Sequence, residues 1–240
     1  MTDLLLVHGS CHGAWCWRDL LPELSVHGIR ARTIDLPGHD QTPGAPLRDP
    51  ATITLAETAE AIAEASRPET IVLGHSWAGY PITAAADLGK QLRGLIYLCA
   101  YVPKPGLSMI DMRKAGPRQT LTGRTVTCAK GASYHFTTDA ATDLLYPDCK
   151  AETVDYALTR LTAQPIGPQD TPLTPGTVWQ ETPKAYIRST EDRVIPPEYQ
   201  AQMVAGWPRD RVLDLQTSHS PFFAAPQRLA GMIATLTKDL

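Results

Sequence analysis

The string Ile71-Val72-Leu73-Gly74-His75-Ser76-Trp77-Ala78-Gly79-Tyr80 constrains this chain more than any other. A short apolar run ends at Gly74, a helix-forming segment begins near Ala78, and a serine sits at the junction. A chain passing from a buried strand into a helix so abruptly must turn sharply. The serine hydroxyl is then exposed above the sheet, and its neighbours two positions away must be small. Gly74 and Ala78 meet that need. Ala78 stands where the G-x-S-x-G pattern has glycine, although Gly79 follows at once, and alanine is the least bulky replacement and favours the helix. The pattern predicts a nucleophile elbow at Ser76.

The surrounding chain supplies a sheet to carry it. Leu4 to His8, Ile29 to Leu36, Thr70 to Gly74 and Leu95 to Ala100 are short apolar or β-rich runs separated by segments of helical spacing, which predicts a parallel sheet. The clearest helix begins near Thr54, where Glu57 completes a capping-box pattern and Leu55, Ala59, Ile62 and Ala63 recur on one face. After Pro103 the pattern breaks down. Residues 104–182 hold scattered Pro, Gly and Thr, short helical pieces and no succession of strands, and read as an inserted cap. Alternation resumes with Lys184 to Arg188 as a strand, Glu198 to Val204 as a helix, Val212 to Leu215 as a strand and Gln227 to Leu240 as a closing helix. The expected organisation is one domain over residues 1–240, a length that suits a single α/β core.

Composition narrows the function classes. A net charge of −3 provides no basic field for a phosphate backbone, so nucleic acid is not an expected partner. No apolar stretch approaches the roughly 18 to 20 residues that span a bilayer, and the run Leu4 to Val7 is too short for a signal-peptide core, so no membrane association is expected. The five cysteines, Cys11, Cys16, Cys99, Cys128 and Cys149, are odd in number and lack the spacing of a disulfide scaffold, which points to the cytoplasm. The oligomeric state stays open, a homodimer included.

A serine hydroxyl needs a base to take its proton and a third group to orient that base. The run Tyr186-Ile187-Arg188-Ser189-Thr190-Glu191-Asp192 leaves a strand and delivers two acids to the next loop; Asp192 is preferred, with Glu191 as the alternative. Leu213-Asp214-Leu215 leads through Gln216-Thr217-Ser218 to His219, again just past a strand. Ser76, Asp192 and His219 therefore form a candidate triad, with His75 read as packing. The loop His8-Gly9-Ser10-Cys11-His12-Gly13-Ala14-Trp15 follows the first strand and places the Ser10 N–H as one oxyanion donor, the Trp77 N–H being the other. His8, Cys11, His12 and Cys16 also suggest a metal, but lack the paired spacing of a structural zinc site, and the triad chemistry needs neither metal nor other cofactor. Gly9, His12, Trp15, Tyr101 and Phe222 are candidate substrate contacts. Trp77 and Phe223 also lie near the site in sequence, and core packing is the competing reading for Phe222 and Phe223.

The chain resembles, over nearly its whole length, the small α/β-hydrolases that include plant methyl esterases, the salicylic-acid-binding esterase, hydroxynitrile lyases and related bacterial esterases. The resemblance rests on Val7-His8-Gly9 through Cys11-His12-Gly13-Ala14-Trp15, on Gly74-His75-Ser76, on Thr190-Glu191-Asp192 with Ile195-Pro196, and on His219. It implies the α/β-hydrolase fold, a mostly parallel doubly wound sheet with an inserted cap, and it matches Ser76, Asp192 and His219 to the family's triad and Ser10 and Trp77 to its oxyanion hole. The family's lyases carry threonine where this chain has Gly9 and lysine where it has Ser220. A neutral serine cannot supply that lysine's charge, so hydrolysis of small, partly apolar or aromatic carboxylic esters through an acyl-enzyme is expected. Cyanohydrin cleavage, or a small-molecule receptor with vestigial hydrolysis, are the alternatives.

Overall fold

Leu4, Leu5, Leu6 and Val7 are all completely buried, as befits a strand covered on both faces. The structure, a computed structural model, describes residues 2–39, 48–89 and 91–240. Its first part runs β1 (Thr2–Val7), α1 (Leu20–Val26), β2 (Ile29–Ile34), α2 (Leu55–Ala65), β3 (Ile71–His75), α3 (Gly79–Ala86) and β4 (Gly94–Leu98). Then come α4 (Met109–Ala115), β5 (Thr125–Cys128), β6 (Ser133–Phe136), α5 (Thr138–Leu145), α6 (Ala151–Leu158), β7 (Gln164–Pro165), α7 (Gly167–Asp170) and α8 (Thr177–Glu181). The chain closes with β8 (Lys184–Ser189), α9 (Pro197–Met203), β9 (Val212–Leu215), α10 (Pro221–Ala224) and α11 (Pro226–Asp239).

Six strands form one sheet in the order β2-β1-β3-β4-β8-β9, every neighbouring pair parallel. α1 packs with α11 and α2 with α3. α2 shows how sequence directs this packing. Thr54 caps it, its hydroxyl accepting the Glu57 N–H at 3.1 Å, and Leu55, Ala59, Ile62 and Ala63 are buried along one stripe. Burying Leu55 and Ile62 stabilises the fold by roughly 1.5–3 kcal/mol each.

The strands fall within two residues of where the sequence places them. β4 stops at Leu98, short of Ala100, because Cys99 takes a positive φ of 35° and turns the chain out of the ladder. The larger difference lies between β4 and β8. Residues 104–182, expected to hold no succession of strands, contain a small antiparallel sheet, β5-β6-β7. β5 and β6 are only four residues long with no apolar run, and β7 is two residues long and ends in Pro165, so each is too short to stand out as a strand among the Pro and Gly of this segment.

The strand order dictates where a site can form. From β1 the chain moves one way to β2 and the other way to β3, so a crevice opens beyond the carboxyl ends of β1 and β3. Ser10 follows the first of these strands and Ser76 the second. No helix among the described residues is long and apolar enough to cross a membrane.

Candidate active site

Ser76 leaves β3 with φ at +59°, a left-handed conformation that costs a residue with a side chain about 1–2 kcal/mol. The surrounding packing holds it there. The Tyr101 N–H donates to the Ser76 carbonyl at 3.1 Å, drawing the segment after β4 across the elbow. A Cβ on Gly79 would stand 1.9 Å from the Tyr101 carbonyl oxygen, and one on Gly74 would press on Ile82 at 2.8 Å. The backbone contact that excludes a side chain on the helix side therefore falls at position 79, while Ala78 keeps its methyl group in a fully buried position.

The structure brings Ser76, His219 and Asp192 together. His219 Nε2 lies 3.0 Å from Ser76 Oγ and His219 Nδ1 lies 2.8 Å from Asp192 Oδ2. A carboxylate only accepts, so Nδ1 carries the hydrogen and Nε2 is left to take the serine's. All three side chains are buried. Asp192 also accepts from the Val194 and Ile195 amides, at 2.7 and 2.9 Å, and from Gln200 Nε2 at 2.9 Å. Glu191, the alternative acid, is exposed and accepts from Gln216 instead. Its backbone N–H reaches the Thr217 carbonyl at 3.0 Å, and the Thr190 N–H reaches that of Leu215 at the same distance, so the loops that carry Asp192 and His219 are stitched together.

His75, read from sequence as packing, is buried against His219. Its Nε2–H donates to the His219 carbonyl at 2.8 Å, and the two rings lie 4.7 Å apart. Burial, helped by the neighbouring histidines, pushes the His75 imidazole well below its usual range, so it is neutral, and its Nδ1 has no partner. A Cβ on Gly9 would stand 2.4 Å from that nitrogen.

In the first loop, His8 Nδ1–H donates to the Gly9 carbonyl at 2.9 Å and His8 Nε2 accepts the Leu36 N–H at 3.0 Å. The His12 N–H reaches the same Gly9 carbonyl. In a trans peptide the amide points opposite to the carbonyl, so the Ser10 N–H is turned away from these donors. His12 Nδ1–H donates to the Ser10 carbonyl and its Nε2 accepts the Tyr146 hydroxyl, both at 2.7 Å; burial lowers its pKa to about 3. Both nitrogens of His8 and His12 are thus engaged, and His8, Cys11, His12 and Cys16 do not gather into a ligand set. Among the described residues the ligand atoms that do converge are those of His75, Cys99 and His219, within 4.8 Å, where His219 already serves Ser76 and Asp192.

Ser10, His12, Ser76, Trp77, Tyr101 and His219 face one cavity, whose water-accessible space is only about 20 Å³. Its opposite wall is Met109, Arg113, Leu121, Tyr134, Phe136 and Leu145, all from residues 104–182. Three of the expected substrate contacts stand behind this surface. Trp15 stacks on His12 at 5.3 Å, Phe222 is buried edge-on against Trp17 and His75 at 5.0 and 5.1 Å, and Gly9 backs onto His75. Of the wall residues, Met109 and Arg113 carried a sequence signal that could have found them. Ser108-x-x-Asp111 is a capping box that starts α4, and positions four apart then share a helix face.

A family model described as "Alpha/beta hydrolase family" matches residues 4–232. The chain is 28% identical to a pyrethroid hydrolase of Sphingobium wenxiniae, covering 98% of this chain and 87% of that protein. It is also 28% identical to methylesterase 2 of Arabidopsis thaliana, covering 98% and 95%. The crystal structure of a pyrethroid hydrolase from Sphingobium faniae JZ-2 superposes with a TM-score of 0.86 at 25% identity, covering 99% of this chain and 97% of that one. With the family match running from the first strand into the last helix, this chain belongs to the alpha/beta hydrolase family.

Proposed function

We propose that the protein is a serine carboxylesterase. The observation that carries this reading is the relay from Ser76 Oγ through His219 to Asp192, at 3.0 and 2.8 Å, opening on a cavity with apolar walls. His219 Nε2 accepts the Ser76 proton as Oγ attacks the ester carbonyl, and Asp192 stabilises the imidazolium that forms. The Ser10 and Trp77 amides hold the oxyanion. The protonated His219 gives its proton to the departing alcohol, leaving an acyl-enzyme on Ser76. A water that gives its proton to His219 then attacks the acyl carbon and releases the acid. No step needs a cofactor. The relationship to a methylesterase and a pyrethroid hydrolase supports ester substrates, and the aromatic and aliphatic walls suit small, partly apolar ones.

Residues 104–182 act as a cap within a single domain. With about 20 Å³ free, the closed cavity holds little more than a water molecule, so an ester enters when the cap shifts.

Two positions weigh against cyanohydrin cleavage by the plant lyases' chemistry. A side chain at Gly9 collides with His75, and Ser220, with its hydroxyl buried and unpartnered, provides no cation. A fluorophosphonate probe tests the proposal: it should label the wild type, and Ser76→Ala should abolish both labelling and hydrolysis of a 4-nitrophenyl ester. Unreactive wild type that still binds ligands would point to a receptor, and cyanide release from mandelonitrile would revive the lyase.

A further inference from the structure

The cavity wall supplied by residues 104–182 is apolar or aromatic except at Arg113. Arg113 follows Met109 by one turn of α4, so both side chains lie on the face turned to the cavity. Arg113 also borders an outer depression with Gln119 and Thr122, which places it between the cavity and the solvent. It is half-buried, and among the described residues its guanidinium has no carboxylate and no hydrogen-bond acceptor. Its neighbours differ in this respect. Arg118 pairs with Glu198 at 2.8 Å, and Arg124 and Arg193 share Asp143 at 3.3 and 2.6 Å. The nearest acid on its own helix, Asp111, is committed to the Ser108 N–H and hydroxyl at 3.0 and 2.8 Å.

A cation held without a counter-ion against an apolar cavity attracts an anion more strongly there than in water, and the planar guanidinium fork matches a carboxylate with two parallel hydrogen bonds. Its charge reaches the cavity's phenols: burial pushes Tyr134 up to about 12 and Tyr101 higher, and in both the Arg113 charge acts in the opposite direction. The other basic groups on the wall do not add to it. His12 is neutral, and the His219 ring is occupied by Ser76 and Asp192. One cation facing an apolar space suits one negative charge at the end of an apolar body.

We propose that the preferred substrates are esters bearing a single carboxylate remote from the scissile bond, as in the half-ester of a dicarboxylic acid, with Arg113 binding that carboxylate while Ser76 faces the ester carbonyl. The inference rests on the esterase reading and specifies its substrate class.

Mono-4-nitrophenyl adipate and 4-nitrophenyl hexanoate differ only in a terminal carboxylate against a terminal methyl, and nitrophenolate release reports on both. The wild type should favour the adipate by at least tenfold in kcat/KM. In Arg113→Met that ratio should fall to within about threefold of unity, and Arg113→Lys should restore part of it. Because the ratio is taken within one variant, general damage to folding cancels. A wild-type ratio near one, or a ratio unchanged in Arg113→Met, overturns the inference and leaves the esterase intact. Hydrolysis of neither ester overturns the esterase. Calorimetry with monomethyl adipate then decides the charge preference alone: binding at least tenfold weaker in Arg113→Met supports it, and equal binding overturns it.

Discussion

Asp148 holds the loop that carries His219, the proposed base: its carboxylate accepts the Ser218 N–H at 2.7 Å and the Ser218 hydroxyl as well. The two residues come from distant parts of the chain, Asp148 from the 104–182 segment and Ser218 from the loop after β9. Displacing the first would therefore be expected to disturb the loop that carries His219. Asp148→Ala should lower kcat about tenfold with a smaller change in KM, and should destabilise the protein by about 1–2 kcal/mol, a value discounted because Asp148 is exposed. Steady-state kinetics and urea midpoints measure both, and an unchanged kcat would show that the latch does not govern the base.

The choice between the two acids has a sharp kinetic signature. Asp192→Asn keeps the shape of the side chain but no longer holds His219 in the required tautomer, and kcat should drop by about 10³–10⁴. Glu191→Gln touches only the exposed contact to Gln216 and should stay within about twofold of wild type. The reverse pattern would reassign the acid.

Stability should fall on mild acidification. His8, His12 and His75 are buried and held below the ordinary histidine range, chiefly by desolvation. Between the unfolded value near 6.5 and the folded one, about 3 for His12, the unfolded chain binds a proton that the folded chain does not. The stability these groups confer is therefore complete above pH 6.5 and is lost as pH falls, by up to about 1.4 kcal/mol per pH unit for each histidine. Urea titrations at pH 7.5, 6 and 5 should show the decline, and His12→Gln should make it shallower. A flat profile would contradict the burial argument.

Ser220 buries a hydroxyl with no partner. Ser220→Ala removes an unmet desolvation penalty and should leave stability unchanged or raise it by up to about 1 kcal/mol. Ser220→Lys would bury an ammonium in the same place and should cost at least about 3 kcal/mol. Thermal denaturation separates the two, and a well-folded lysine variant would mean that this corner opens more readily than it looks.

The sheet and the positions of Ser76, Asp192 and His219 were legible because each follows a strand, and strands announce themselves by local pattern. The preference for Asp192 over Glu191 had no local basis: what separates them is Gln200 and the Val194 and Ile195 amides, contacts made by tertiary folding. Gly79 shows the same limit. The G-x-S-x-G pattern puts the tight spot on the helix side at Ala78, whereas the backbone that excludes a side chain lies at Gly79 and belongs to Tyr101, a distant residue drawn in by the Ser76 carbonyl. The cavity wall was the least legible part. Leu121 in a turn and Tyr134 on β6 share no period, and they meet only because residues 104–182 fold back over the crevice.

The near-contact between Gly9 and His75 Nδ1 makes these positions historically dependent. Threonine arriving first at position 9 would meet an imidazole 2.4 Å from its Cβ and yield a poorly folded intermediate. Shrinking His75 first would open the space but release the carbonyl of the base. A double-mutant cycle over Gly9→Thr and His75→Ala should accordingly show strong coupling. For a lineage descending from this sequence both single steps lie in a valley, so neither order of arrival is open and the scaffold changes its trade only when the two positions change together.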